Sequence, residues 1–184
     1  RMWLVWAIWW GPTHVDEGIR RCEEIKRHAT SKEVEAHAMV MGGNLKAASG
    51  AVDEGRLEAA AGRQILGELG DVLRWAGTAM VLGDLELNAG APERAYELFS
   101  EGHAGLAQYS ETGYLSTMVG YRAQAALELG RLDEALELAD EARRLAQRDD
   151  FEPHARAGMV RARALARRGD LAAADDLIRE AAAT

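Results

Sequence analysis

The stretch that decides the fold is GRLDEALELADEARRLAQ, residues 130–147. Its apolar residues recur at helical spacing. Leu132, Ala135, Leu136, Ala139, Ala142 and Ala146 make one stripe, and Leu138, Ala142 and Leu145 begin a second beside it. Asp133, Glu134, Glu137, Asp140, Glu141 and Arg144 fill the remaining surface and belong in water. Two stripes require two partners, the first packing on the helix just before it and the second on the next helical pair. A buried leucine contributes roughly 1.5–3 kcal/mol, so an isolated pair with one stripe wet does not offset the entropy of ordering its chain. Stability in such a unit comes from stacking on its neighbours.

Working outward, the same pattern returns at intervals. HVDEGI at 14–19, AVDEGR at 51–56, APERAY at 91–96, RLDEAL at 131–136 and DLAAAD at 170–175 align on Gly18, Gly55, Ala95, Ala135 and Ala174, which gives spacings of 37, 40, 40 and 39. Gly50, Gly90, Gly130 and Gly169 precede four of these segments and read as turns that end a helix. Each unit is then helix, glycine turn, helix. Apolar spacing predicts helices over 3–10, 14–28, 32–48, 52–69, 71–89, 92–109, 113–129, 132–147, 152–168 and 171–182. Thr30 with Glu33 reads as a capping box, and Pro92 and Pro153 sit near helix starts, where a missing N–H costs nothing. Gly42-Gly43 falls inside a helix, where each glycine costs about 1 kcal/mol against alanine, and reads as a close helix contact.

Composition agrees. Alanine supplies 35 of the 184 residues and arginine 19 of the 22 basic ones, while aromatics are 6%. High helix propensity and few β-branched residues make a sheet improbable. A net charge of −8 argues against nucleic acid, which needs a basic surface to displace counterions from phosphate. The single cysteine, Cys22, excludes an intramolecular disulfide and suits a reducing, cytoplasmic setting. The apolar run from Met2 to Trp10 is far short of the about 20 residues that span a bilayer. Trp3, Trp6 and Trp10 fall on one face of it. It reads as a core helix whose partner lies upstream, which makes the chain a fragment, or as an aromatic patch that docks on a neighbour or a membrane surface.

A period near 40 lies between the roughly 34 of tetratricopeptide repeats and the roughly 40–47 of HEAT or armadillo repeats. Leu82-Gly83, before Ala95, match the Leu-Gly pair of the first tetratricopeptide helix, and Phe99 falls where that motif places its Phe. The expected fold is all-α, a right-handed α-solenoid of about five helix-turn-helix, tetratricopeptide-like repeats over 1–184. The segments GPTHVDEGIRRCEEI at 11–25, ETGYLST at 111–117, LGRLDEALELADEARRLAQ at 129–147 and ARALARRGDLAAADDLI at 162–178 also resemble the C-terminal repeat region of large, mainly actinobacterial ATP-binding proteins. In that family an adenylate/guanylate cyclase domain is often followed by an AAA-type or STAND-type ATPase and then by helical repeats. The resemblance implies a regulatory arm. The nucleotide chemistry of such proteins lies in domains outside this segment, so no catalytic residue carries over.

Motifs of chemistry are sparse. There is no Gly-Lys pair for a phosphate loop and no G-x-G-x-x-G. His14, Cys22 and His28 stand eight and six residues apart, which is not the i, i+4 spacing of a helical ligand pair. Cys22 reads as a small core residue four after Gly18. His37, His103 and His154 have no second ligand at binding distance in sequence. Asp149-Asp150, Asp175-Asp176 and Glu23-Glu24 are adjacent pairs that diverge on a helix. Ser110, Tyr114 and Ser116 offer hydroxyls without an identifiable base.

The remaining candidate is a groove lined by the first helix of each pair. Counting eleven back from each aligned small residue gives Asn44, Asp84, Gln124 and Arg163; counting seven back gives Ala48, Asn88, Glu128 and Arg167. With Arg156 the row runs from neutral and acidic to basic, and its arginine end suits carboxylates of a peptide; the same arginines also suit a plain solvated face. The reading is a non-catalytic interaction and regulatory module without cofactor or metal, whose partner is a protein, a peptide or the parent chain's own ATPase domain. The alternatives are the sensor or scaffold arm of an ATP-dependent transcription regulator, and a small all-helical enzyme or ligand-binding domain.

Overall fold

In a computed structural model, which describes residues 2–109 and 113–182, the described residues form eleven helices and no strand. They are α1 (Met2–Trp10), α2 (Val15–Arg27), α3 (Lys32–Ala48), α4 (Val52–Glu68), α5 (Val72–Gly77), α6 (Ala79–Asn88), α7 (Pro92–Gln108), α8 (Gly113–Glu128), α9 (Leu132–Leu145), α10 (Phe151–Arg167) and α11 (Leu171–Ala182). Ser110, and Glu111 and Thr112 of the ETGYLST segment, lie outside the described residues.

The glycine turns share one geometry. At Gly130 the backbone takes φ 73°, a left-handed conformation open to glycine at no Cβ cost; its N–H bonds the Leu127 carbonyl, and the Arg131 N–H bonds the Ala126 carbonyl. The identical pair of bonds recurs at Gly50, Gly70, Gly90 and Gly169. Gly70 extends the predicted set of four. These bonds satisfy helix-end carbonyls and reverse the chain in two residues.

The chain divides into two compact units, residues 1–91 and 92–184. In the first, α3 packs against α1, α2, α4 and α6. Val5, Ile8, Cys22, Val40, Met41 and Val81 form its core, flanked by Trp6, Trp9, Ile25, Leu45 and Leu82. Cys22 is a packing residue, as expected, and burial pushes its thiol up to about 12. Gly43 and Gly55 bring α3 and α4 into backbone contact: a Cβ on Gly43 would lie 2.5 Å from the Gly55 carbonyl oxygen and 2.7 Å from the Ala59 nitrogen. Gly42, its neighbour, faces the Cys22 Cβ on α2. Lys46 then bridges three helices through Glu23 (3.0 Å), Glu54 (3.0 Å) and Glu58 (2.7 Å).

In the second unit α8 is buried on nearly every side, between α7, α9 and α10. Val119, Ala123, Ala126 and Leu127 of α8 meet Ala135, Leu138, Ala139 and Ala142 of α9, and Ala157, Val160 and Ala164 of α10. The two stripes of α9 therefore have the two partners their spacing requires.

Four sequence expectations are corrected. The helix over 71–89 is two helices joined at Thr78, whose hydroxyl donates to the Trp75 carbonyl (2.8 Å) and competes with the helical ladder there. The cap of α3 is Ser31, whose Oγ accepts from the Val34 N–H (3.3 Å), one residue beyond the Thr30 expected. Leu145 is exposed, because α9 ends there and Ala146 turns to extended backbone. The helix α1 finds partners in α2 and α3, burying Val5 and Ile8, while Trp3 and Trp10 of the tryptophan face are exposed and Trp6 is half-buried.

Candidate functional site

The predicted row of polar positions falls on α3, α6, α8 and α10, and each unit assembles its own part of it. In the first unit Asn44 is buried. Its amide donates to the Val81 carbonyl (2.9 Å) and to Asp84 Oδ2 (3.4 Å), and its Oδ1 accepts from Trp9 Nε1 (3.0 Å). Asn88 Nδ2 donates to the same Asp84 oxygen (3.1 Å). Three helices, α1, α3 and α6, are thus tied by one network. Asn44 engages both its donors and its acceptor inside it.

In the second unit α8 and α10 run side by side, and Gln124 and Glu128 of α8 meet Arg156, Arg163 and Arg167 of α10. A spacing of four on α8, and of seven and four on α10, puts these groups on one face of each helix. Arg163 Nη2 bonds Glu128 Oε1 (2.7 Å) and Arg167 Nη2 bonds Glu128 Oε2 (2.9 Å), so one carboxylate holds two guanidiniums. Arg167 Nη1 also donates to the Leu127 carbonyl. Burial alone would raise the Glu128 carboxyl, but the bonds from Arg167 and Arg163 outweigh it and hold it below the ordinary carboxylate range.

Arg156 is the inner member. Its Nη1 donates to Gln124 Oε1, its Nε donates to Glu152 Oε1 (2.7 Å), and its guanidinium lies 3.6 Å from the centroid of the Tyr121 ring. Gly120 leaves room for its stem: a Cβ there would stand 3.2 Å from Arg156 Cδ. Three guanidiniums face two carboxylates, Glu128 and Glu152, which leaves the cluster one positive charge in excess. Arg163 and Arg167 keep side-chain exposures of 41% and 39%, so part of each fork stays open to solvent.

Sequence reasoning missed Trp9, Tyr121 and Glu152. Tyr121 stands three residues before Gln124 and Glu152 four before Arg156, which places each on the face of a predicted row residue. Trp9 carries no such signal, because its bond to Asn44 spans separate helices. On the other side of α9, Glu137, Asp140, Arg143, Arg144 and His154 line an open depression of about 690 Å³. Among the described residues no group of three or more His, Cys, Asp or Glu side chains could hold a metal, and no helix is long and apolar enough to cross a membrane.

Solved structures of similar fold exist. A Podosopora anserina protein described as a kinesin light chain with nearly identical TPR-like repeats superposes with a TM-score of 0.69 at 19% identity, over 92% of this chain and 85% of that one. The fold is tetratricopeptide-like. BtubC from P. vanneervenii gives 0.67 at 14% identity, over 91% of this chain and 68% of its own. At these identities the tetratricopeptide-like likeness is one of fold. No protein-family model matches the sequence, and no curated protein matches it. The tetratricopeptide-like repeats explain the period of about 40 read from the aligned small residues, with helices longer than the usual repeat carries.

Proposed function

We propose that this chain is a non-catalytic protein-interaction module whose α8–α10 face receives acidic segments of a partner protein. The observation that carries the reading is the sharing of Glu128 by Arg163 and Arg167. Two partly exposed guanidiniums on a single carboxylate have donors left for a second one, and planar forks match carboxylates in pairs. Arg156, fixed on Tyr121, sets the inner edge of that face. Asn44, Asp84 and Asn88 make up the corresponding row on the first unit. The finer reading, in which the module is the C-terminal arm of an ATPase- or cyclase-type signalling protein and binds its own ATPase domain, is supported by the GPTHVDE and ETGYLST segments.

The test uses a fluorescein-labelled, glutamate-rich peptide and fluorescence anisotropy. Arg163→Glu with Arg167→Glu is expected to weaken binding at least tenfold, and binding to the native chain to weaken with salt. Arg143→Glu with Arg144→Glu, at the depression beyond α9, is expected to change it less than threefold. Equal losses from the two pairs would contradict the assignment.

A further inference from the structure

Inside the second unit, one face of α7 carries Tyr96, Ser100 and His103, at i, i+4 and i+7. Arg122 of α8 lies along that face. Its Nη2 donates to the Tyr96 hydroxyl (3.4 Å) and its guanidinium stands 5.6 Å from the centroid of the Tyr96 ring, while at the other end its charge reaches His103. Ser100 falls between these two points and therefore beside Arg122. The third wall of this polar seam is α9, whose Glu134 accepts from the Tyr96 hydroxyl and whose Glu141 acts on His103. Arg131, just before α9, covers the Tyr96 ring (5.1 Å) and pairs with Glu134 (3.5 Å).

Two buried polar atoms of the seam, Ser100 Oγ and Arg122 Nε, have no hydrogen-bond partner among the described residues. Nor does any carboxylate of the described residues pair with Arg122, since Glu134 is taken by Tyr96 and Arg131. A guanidinium drawn out of water ordinarily takes a carboxylate or a phosphate, and a covered hydroxyl ordinarily takes a partner. Here an unused Nε–H and an unused hydroxyl stand side by side, which is a donor pair fitted to the oxygens of one small anion. Arg122, Ser100 and His103 are half-buried, so the seam is open to solvent at its side chains. Two positions, roughly 200° around α8, separate Arg122 from Gln124, so the seam lies across α8 from the face that receives acidic segments.

We infer that the seam between α7, α8 and α9 binds a small oxyanion, held by Arg122 Nε and the Ser100 hydroxyl with His103 at its edge. The ion reaches the two covered atoms by rotation of half-buried side chains, with no helix displaced. Glu134 and Glu141 repel further negative charge, so the occupant carries one anionic group, a phosphate or a carboxylate. His103 reports its arrival. Burial first and Arg122 second hold that imidazole below 6.5, against the pull of Glu141. An anion on Arg122 offsets the second cause, so the His103 pKa rises on binding, and by reciprocity the ion binds more tightly as pH falls through that pKa.

Proton NMR of the histidine rings in the full 184-residue chain tests this, with inorganic phosphate and acetate as separate probes and ionic strength held constant with sodium chloride. The His103 signal is the one lost in His103→Gln. It is expected to shift saturably and its pKa to rise, and the probe that saturates at the lower concentration names the source, phosphate or carboxylate. Arg122→Gln is expected to bind at least tenfold more weakly and Ser100→Ala at least threefold. Ser100→Ala deletes an unpaired buried hydroxyl, so it is expected to unfold at no lower urea concentration than the native chain, which separates lost binding from lost fold. If circular dichroism shows lost helix in Arg122→Gln, Arg122→Lys replaces it, keeping the charge without the planar fork, and is expected to bind at least threefold more weakly. A His103 signal that saturates with neither probe, or that saturates equally in the native chain and the Arg122 variant, overturns the inference. Arg163→Glu with Arg167→Glu is expected to leave the His103 response unchanged, which keeps failure here distinct from failure of the α8–α10 reading; a response lost in that variant would place the ion on the α8–α10 face and equally overturn the inference.

Discussion

His37 is buried to 1% exposure on α3, with its Nδ1 against the Glu33 carbonyl (2.9 Å) and its ring 6.4 Å from that of Trp6. Burial pushes its pKa below the ordinary 6.5; the bond to Glu33 opposes this, the Arg74 charge adds to it, and Glu33 and Asp71 pull weakly upward. The unfolded chain then binds a proton that the folded chain resists. The stability this residue contributes is complete above pH 6.5 and is lost as pH falls from there through its folded pKa. His37→Gln removes the titration, so the drop in Tm between about pH 7.5 and about pH 5.5 is expected to be smaller in the variant than in the native chain. His103, also lowered by burial and then by Arg122, contributes to the drop that remains. Glu23 and Glu128 act in a separate window, since both are held below 4.5 and lose their stabilisation only as pH falls under it. An equal drop in both proteins would show that His37 is solvated.

Among the elements, α3 and α4 depend most closely on particular residues. Gly43→Ala places a methyl group 2.5 Å from the Gly55 oxygen, a backbone atom that cannot swing aside. The helices must separate, and the expected loss is about 1–3 kcal/mol, read from urea unfolding, despite the better helix propensity of alanine. No loss would place the two helices farther apart than described. This contact was legible in the sequence, because two adjacent glycines inside an apolar helical pattern have few other uses. Four of the five glycine turns, all but Gly70, and most helix limits were legible from the repeat and the apolar spacing. The break at Thr78 was not: a threonine hydroxyl bonds the preceding turn or points outward with equal ease, and only packing selects between the two. The cap at Ser31 was ambiguous because Thr30 and Ser31 are both capping residues. Leu145 fitted the stripe of α9, but the spacing carries no mark of where the helix stops.

For the whole molecule, a net charge of −8 makes the arginine cluster on α10 a local exception. Its position in a repeat row could be read by counting from the aligned small residues, and that count placed Gln124, Glu128, Arg163 and Arg167 on helices that do meet. The sequence held no sign of which arginine takes which acceptor across to α8, nor that Asn44 is spent on Trp9, Val81 and Asp84, since those pairings cross between helices 32 to 40 residues apart. Nearest-neighbour stacking also explains why each unit needs its apolar faces covered by neighbouring helices. The central claim is that α8 and α10 form the receiving face. Hydrogen exchange of the full 184-residue chain, with and without the glutamate-rich peptide, tests it most directly. The account predicts new protection over 120–128 and 156–167 that salt abolishes; protection confined to 137–144, or none at saturating peptide, would contradict it.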